Sequence, residues 1–162
     1  MLLAVKTRFS NDPDELRRAL RLAGLRVTRP RLAVLSSLAR HSHASADEVH
    51  AAVCTGLPGT SLQAVYNVLA DLTAARLLRR LEPAGSSARY ERRVGDNHHH
   101  LVCRACGTIR DVDCTVGLSP CLTPESAHGF AIDEAEVTFW GLCPSCTRHD
   151  GPTDTIHTPG GN

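Results

Sequence analysis

The sequence predicts an α+β fold in two modules, helical and basic in front, strand-rich and cysteine-bearing behind. Three observations carry this. Charge divides along the chain: residues 1 to 93 hold 15 Lys and Arg against 8 Asp and Glu, and residues 94 to 162 hold 3 against 9, although the net charge is only +1. Apolar residues recur at helical spacing up to Leu72 and then change to strand-like alternation. Four of the seven cysteines form two Cys-x-x-Cys pairs behind His98. A chain of 162 residues can bury a core without disulfide staples, so metal-binding cysteines need their own justification. The predicted boundaries are 1–92, 93–147 and a disordered tail, 148–162, which has no apolar period.

In "NDPDELRRALRLAGLR" Asp12 reads as an N-cap, Pro13 as the first helical residue and Glu15 as a capping-box acid, with Gly24 the stop. Leu16, Leu20 and Ala23 share one face, leaving a basic outer side. "TRPRLAVLSSLARH" repeats the pattern, with Thr28 capping and Leu32, Leu35 and Leu38 on one side. Ser45 and Glu48 form a second capping box at "SADEVHAAVCTG". A fourth helix runs through "SLQAVYNVLADLTAARLLRRL" on Leu62, Val65, Leu69 and Leu72. Leu77 to Leu81 and Ala88 to Arg92 then flank the turn-forming "EPAGSS" as a hairpin. Helices ending in a basic hairpin describe a winged helix-turn-helix DNA-binding module; the alternative is a helical bundle with surface arginines. Behind it, "HLVCRACGTIRDVDC" and "GFAIDEAEVTFWGLC" read as strands around a short helix near Thr123 to His128, a small α/β unit.

No apolar run approaches membrane-spanning length, and "MLLAVKTRFSND" is too short and too polar for a secretory signal, so the chain reads as cytoplasmic. In a reducing compartment retained thiols tend to be metal ligands or redox groups. Cys103, Cys106, Cys143 and Cys146 supply four thiolates, the donor set of a closed structural Zn2+ site; a redox dithiol is the competitor. Cys114 and Cys121 stand apart as possible redox thiols, and Cys54 reads as a small buried apolar residue. His98 and His100 share one face of a strand and His99 the other. With Asp111 and Glu91 they make a nitrogen and oxygen set suited to Fe2+, Mn2+ or Zn2+. A surface histidine run, and an ion pair between Glu91 and Arg89, Arg92 or Arg93, are the alternatives.

The strings "GLRVTRPRLAVL", "HASADEVHAAV", "SLQAVYNVLADL", "ARYE", "HHHLVCRACGTI" and "GLCPSC", in this order, closely resemble the ferric uptake regulator superfamily of metal-dependent repressors. The likeness spans residues 12 to 146. Within it, "ARYERRVGDNHHH" and "DVDCTVGLSPCL" are most similar to the branch associated with catalase genes and peroxide response. The resemblance implies a structural zinc on the four paired cysteines and a regulatory metal on His43, Glu91, His98, His100 and Asp111. That metal is iron or manganese in peroxide-sensing members, with zinc possible in vitro. It implies that ferrous iron and peroxide oxidise a ligating histidine, His43 or His98 here. It also implies a homodimer formed through the back module, and so a palindromic operator. Asp111 resembles the peroxide sensors and Glu91 the iron-responsive group. Ala135 stands where a third site of some relatives has a ligand, and Arg76 stands where the family usually has glycine, which implies a longer helix or a shifted wing.

In a helix-turn-helix the second helix enters the major groove. Ser61, Gln63, Tyr66 and Asn67 are then placed for base edges; Gln63 suits adenine and Tyr66 a thymine methyl, an A/T-rich operator. Arg26, Arg29, Arg31, Arg79 and Arg80 are placed for phosphates. No nucleophile and base pair indicates an enzyme. The leading expectation is a peroxide-sensing, metal-dependent repressor. Its rivals are a repressor of the same fold responding to iron or zinc supply and, from another class, a thiol-based redox sensor.

Overall fold

The computed structural model describes residues 10–96, 98–113, 124–132 and 135–148. The chain divides into two compact units, Met1–Asp96 and Asn97–Asn162.

The first unit contains four helices, α1 (Pro13–Leu22), α2 (Arg29–Arg40), α3 (Ala46–Gly56) and α4 (Leu62–Ala74), each begun by the capping residue its sequence supplies. Asp12 accepts from the N–H groups of Asp14 and Glu15 at 2.7 and 3.2 Å. Glu15 reaches back to the Ser10 N–H rather than to the cap. Thr28 caps α2 and Ser61 caps α4. At α3 both halves of the capping box form, Glu48 N–H to Ser45 Oγ at 3.2 Å and Ser45 N–H to Glu48 Oε2 at 2.6 Å.

Two helices end in the same reversal. After α1 the Gly24 N–H bonds Arg21 and the Leu25 N–H bonds Leu20; after α4 the Arg76 N–H bonds Thr73 and the Leu77 N–H bonds Leu72. Both are Schellman motifs, whose turning residue is left-handed. Gly24 has φ 72° and Arg76 φ 55°. Arginine therefore does not lengthen α4, as its side chain had suggested. The two satisfied carbonyls and the burial of Leu72 and Leu77 hold the turn in spite of it.

The apolar faces meet in one core of Leu16, Leu20, Val34, Leu35, Leu38, Val49, Val65, Leu69, Leu72 and Tyr90. Each such Leu or Val contributes roughly 1.5–3 kcal/mol of transfer free energy. Leu32, expected in this core, is only partly buried against it. A three-stranded sheet closes the unit: β1 (Ala44–Ser45), β2 (Arg79–Leu81) and β3 (Arg89–Glu91), in the order β1-β3-β2 and antiparallel throughout. The β2–β3 hairpin matches the sequence reading. β1 is too short to carry a periodic signal.

The second unit is a sheet of β4 (His98–Cys103), β5 (Ile109–Asp113) and β6 (Thr138–Gly141) in the order β5-β4-β6, with a single-turn helix α5 (Pro144–Thr147). β4 pairs antiparallel with β5 and parallel with β6. Its buried apolar residues, among those described, are only Val102, Cys103 and Ile109. The short helix expected at 123–128 is absent from its described part, 124–128. His128 and Gly129 are both left-handed, and the Phe130 N–H closes a tight turn onto Ala127. A stretch of that length cannot offset the cost of helix nucleation. The second predicted strand shortens to Thr138–Gly141. Thr123, Cys114, Cys121 and tail residues 149–162 lie outside the described residues.

Among the described residues no helix is long and apolar enough to cross a membrane.

Candidate metal centres and nucleic-acid interface

The cysteine cluster is built by strand pairing. β4 ends on Cys103 opposite Gly141 of parallel β6, so the turn after β4 and the chain entering α5 start side by side. Gly107, left-handed at φ 70°, closes the first turn onto the Cys103 carbonyl and brings Cys106 back. Cys143 caps α5 and Cys146 lies within it. The four Sγ atoms all lie within 4.8 Å of one another. Cys106 and Cys143 Sγ are 3.7 Å apart, matching the edge of about 3.8 Å that a tetrahedron of Zn–S bonds of about 2.3 Å requires.

The electrostatics are those of a site that wants a cation. Backbone N–H groups of Cys106 and Cys143, with a smaller contribution from Ala105, hold the Cys103 thiol down to about 6. The Cys143 N–H lies 3.3 Å from Cys103 Sγ. Sharing protons with the sulfurs of Cys143 and Cys106 pushes Cys146 up to about 12. Four crowded thiols cannot all ionise alone, and a divalent ion removes that conflict. The residues fit a closed zinc site.

Histidine and carboxylate candidates occur in both units, and each group is built locally. In the second unit the strand period places His98 and His100 on one face, their ring centroids 4.9 Å apart at 75°. The β4–β5 register sets Asp111 opposite His100 and Asp113 opposite His98. His100 Nε2 is 3.8 Å from Asp111 Oδ1. His99 turns to the other face, its ring edge-on to Phe139 at 6.3 Å. All three histidines are buried, so this is no solvated surface run.

In the first unit β1 and β3 pair Ala44 with Tyr90 and Ser45 with Arg89. The next rung is His43 with Glu91, and there His43 Nε2 meets Glu91 Oε2 at 2.8 Å. His43 is held left-handed at φ 61°, a strained conformation of the kind that clusters at functional sites. Glu91 is fully buried, not on a solvated strand. Its arginine neighbours are engaged elsewhere: Arg89 with Glu48 at 2.8 Å, Arg92 with the carbonyls of Leu35 and Ser10, Arg93 with Asp96 at 2.6 Å. Imidazole and carboxylate donors, as each unit holds them, are of the kind that suits a borderline divalent ion. Periodicity could not nominate His43, because a tertiary pairing of two residues brings it beside Glu91.

The DNA-contact candidates fall into two groups. Ser61, Gln63, Tyr66 and Asn67 lie exposed on α4, with Gln63 Nε2 donating to Asn67 Oδ1 at 3.0 Å. Tyr66 is 43% exposed, so it is not a core aromatic. Arg26 and Arg29 are exposed too. Arg31 is not a free phosphate donor. It bonds Asp71 of α4 at 2.6 Å and the Arg26 carbonyl at 2.8 Å, tying α2 to α4, because the α4 carboxylate lies within its reach. Arg80 pairs with Glu82 at 2.5 Å. Cys54 is half-buried rather than a core residue: its Sγ is 3.5 Å from the Thr60 carbonyl, which also accepts from His50 Nε2 at 2.8 Å. The pair fastens the turn that leads into α4.

Comparison with known proteins converges on one lineage. The model of the ferric uptake regulator family matches residues 22–139. Transcriptional regulator FurA of Mycobacterium tuberculosis is 57% identical over 142 residues, covering 88% of this chain and 96% of that protein. Ferric uptake regulation protein 1 of Mycolicibacterium fortuitum is 61% identical over 121 residues, 75% of each. The solved structure of the Helicobacter pylori ferric uptake regulator, described as having three functional metal-binding sites, superposes with a TM-score of 0.64 at 23% identity. It covers 83% of this chain and 90% of that one, a likeness of fold. The family model and the relatives together cover most of the sequence, and the chain is a member of the ferric uptake regulator family of transcriptional regulators.

Proposed function

We propose that the chain is a metal-dependent DNA-binding repressor that responds to peroxide. The observation that carries this is the presence of two chemically distinct kinds of donor: four clustered thiolates, and imidazoles with carboxylates, His43 beside Glu91 in the first unit and His100 near Asp111 in the second. The thiolate set of Cys103, Cys106, Cys143 and Cys146 holds structural zinc. His43, Glu91, His98, His100 and Asp111 hold the regulatory ion, Fe2+ or Mn2+. Ferrous iron, when bound, supplies the reactivity toward peroxide, and the residue consumed is a ligating histidine, His43 or His98.

An ion that draws on both halves favours the arrangement of units in which DNA is bound, by its differential affinity for that state. The first unit reads an A/T-rich palindrome through Ser61, Gln63, Tyr66 and Asn67, with Arg26 and Arg29 on phosphates. The second unit supplies the homodimer. Leu101 and Phe139 are opposite one another on β4 and β6, and with Leu142 they leave an exposed apolar groove of about 400 Å3. The site of action is the cytoplasm.

His43→Ala tests the reading. Metal-dependent DNA binding is lost while zinc content and dimerisation stay unchanged; intact binding by this variant contradicts it. Glu91, in place of a shorter aspartate, favours a response to iron supply as the second reading. Trace peroxide added to the ferrous protein separates the two. Gain of one oxygen on a peptide containing His43 or His98, parallel to DNA release, supports peroxide sensing, and release without it supports the alternative.

A further inference from the structure

We infer that Arg76 is a DNA-backbone contact at the C-terminal end of the recognition helix, held in a left-handed turn that its own side chain disfavours. The inference rests on the DNA-binding reading above and adds to it a residue that neither the helical pattern nor the wing assigns.

The two Schellman turns of the first unit supply the comparison. Each closes with the same pair of backbone bonds, and each needs a residue at positive φ. After α1 the position is Gly24, which adopts that conformation freely; after α4 it is Arg76, whose Cβ makes the same backbone unfavourable. A strained non-glycine residue in an otherwise satisfied turn points to what its side chain does. Helix-dipole compensation does not require this choice, since a basic residue one turn earlier would interact with the last carbonyls without strain.

The surrounding charges narrow the role. α4 carries no basic residue, and its only charged side chain, Asp71, is taken by Arg31. Beyond it, Arg80 is drawn to Glu82 and Arg89 to Glu48. Arg76 is exposed, and its guanidinium has no hydrogen bond or ion pair among the described residues. In the homeodomain form of the helix-turn-helix the C-terminal end of the recognition helix meets the DNA backbone, and a recognition helix laid along the groove in that way would bring Arg76 to a phosphate. An unpaired guanidinium there contributes affinity and salt dependence without sequence information.

The test uses the full-length zinc-loaded dimer with Mn2+, binding a poly(dA-dT) duplex across a salt series, with Arg76→Gly and Arg76→Lys. For Arg76→Gly the slope of log K against log salt becomes shallower by about 0.9 per protomer, and affinity falls about fivefold to tenfold per protomer near 0.1 M salt. Its thermal midpoint rises, because glycine relieves the turn. Arg76→Lys keeps the slope. A purely structural arginine would not weaken DNA binding while stability rises. If Arg76→Gly binds with the wild-type slope, or if its midpoint does not rise, the inference is overturned. If the wild-type dimer fails to bind the duplex, the DNA-binding reading itself fails instead.

Discussion

Glu48 shows how much one side chain can be asked to hold. Its carboxylate accepts the Ser45 N–H of the α3 capping box and pairs with Arg89 of β3, so it joins a helix start to the sheet. The Ser45 N–H, and after it the Ser45 hydroxyl and Arg89, hold its pKa below the ordinary value of 4.5. A depressed carboxylate stabilises the fold above that ordinary value, and the contribution is lost as pH falls through the folded one. Glu48→Gln keeps an acceptor for the capping box but removes the charge. Because the carboxylate is 59% exposed, the expected loss near neutral pH is a surface-pair value of about 0.5 kcal/mol. Denaturant melts from neutral pH downward should show the gap between wild type and variant closing in acid; a gap that persists there assigns the effect to shape, not charge. The residue scale is also where sequence reading divides. Asp12, Thr28 and Ser45 were legible as caps because capping is local. His43 was legible only through family resemblance, because its place beside Glu91 depends on a pairing with β3 nearly fifty residues away.

Elements differ in how far local chemistry decides them. The four helices of the first unit follow from spacing and caps, and their faces meet in a core that supports itself. The second unit has three buried apolar residues among those described, far too few to offset the entropy of ordering its strands. On the proposed reading, metal at the four cysteines supplies the difference, on the order of ten kcal/mol in isolated zinc-binding peptides. Trp140, the sole tryptophan, sits in β6 three residues before Cys143 and stacks with Arg104 at 5.2 Å. Chelating the zinc, or Cys143→Ser, should therefore shift its emission to that of an exposed indole while the helical circular dichroism of the first unit remains. Native emission after zinc removal would mean that the metal does not build the module. The same lack of core explains why the helix expected at 123–128 and the long last strand were misread. With little burial to reward regular structure, turn chemistry at His128 and Gly129 wins.

At the scale of the whole molecule the charge asymmetry acquires a purpose. On the proposed reading the basic unit meets the phosphate backbone, the acidic, cysteine-bearing unit stays off it, and the regulatory ion takes ligands from both. Protons compete for the same nitrogens, so regulatory-metal affinity should fall as pH drops through the ordinary histidine range near 6.5. Zinc should be retained over this range, because a closed four-thiolate site binds the ion more tightly than imidazoles and carboxylates do. An affinity for Mn2+ that is flat from pH 8 to pH 5.5 would argue against histidine ligation. The central claim is that zinc, which builds the second unit, does not by itself give full DNA affinity, and that the second metal does. The most direct test is to titrate the zinc-loaded dimer, bound to labelled operator DNA, with Mn2+ under anoxic conditions while following anisotropy and metal content together. The account predicts that affinity rises about 5-fold to 150-fold, the usual range of allosteric coupling, in step with one Mn2+ per protomer at constant zinc. Full DNA affinity with zinc alone, before any Mn2+ is added, would contradict it.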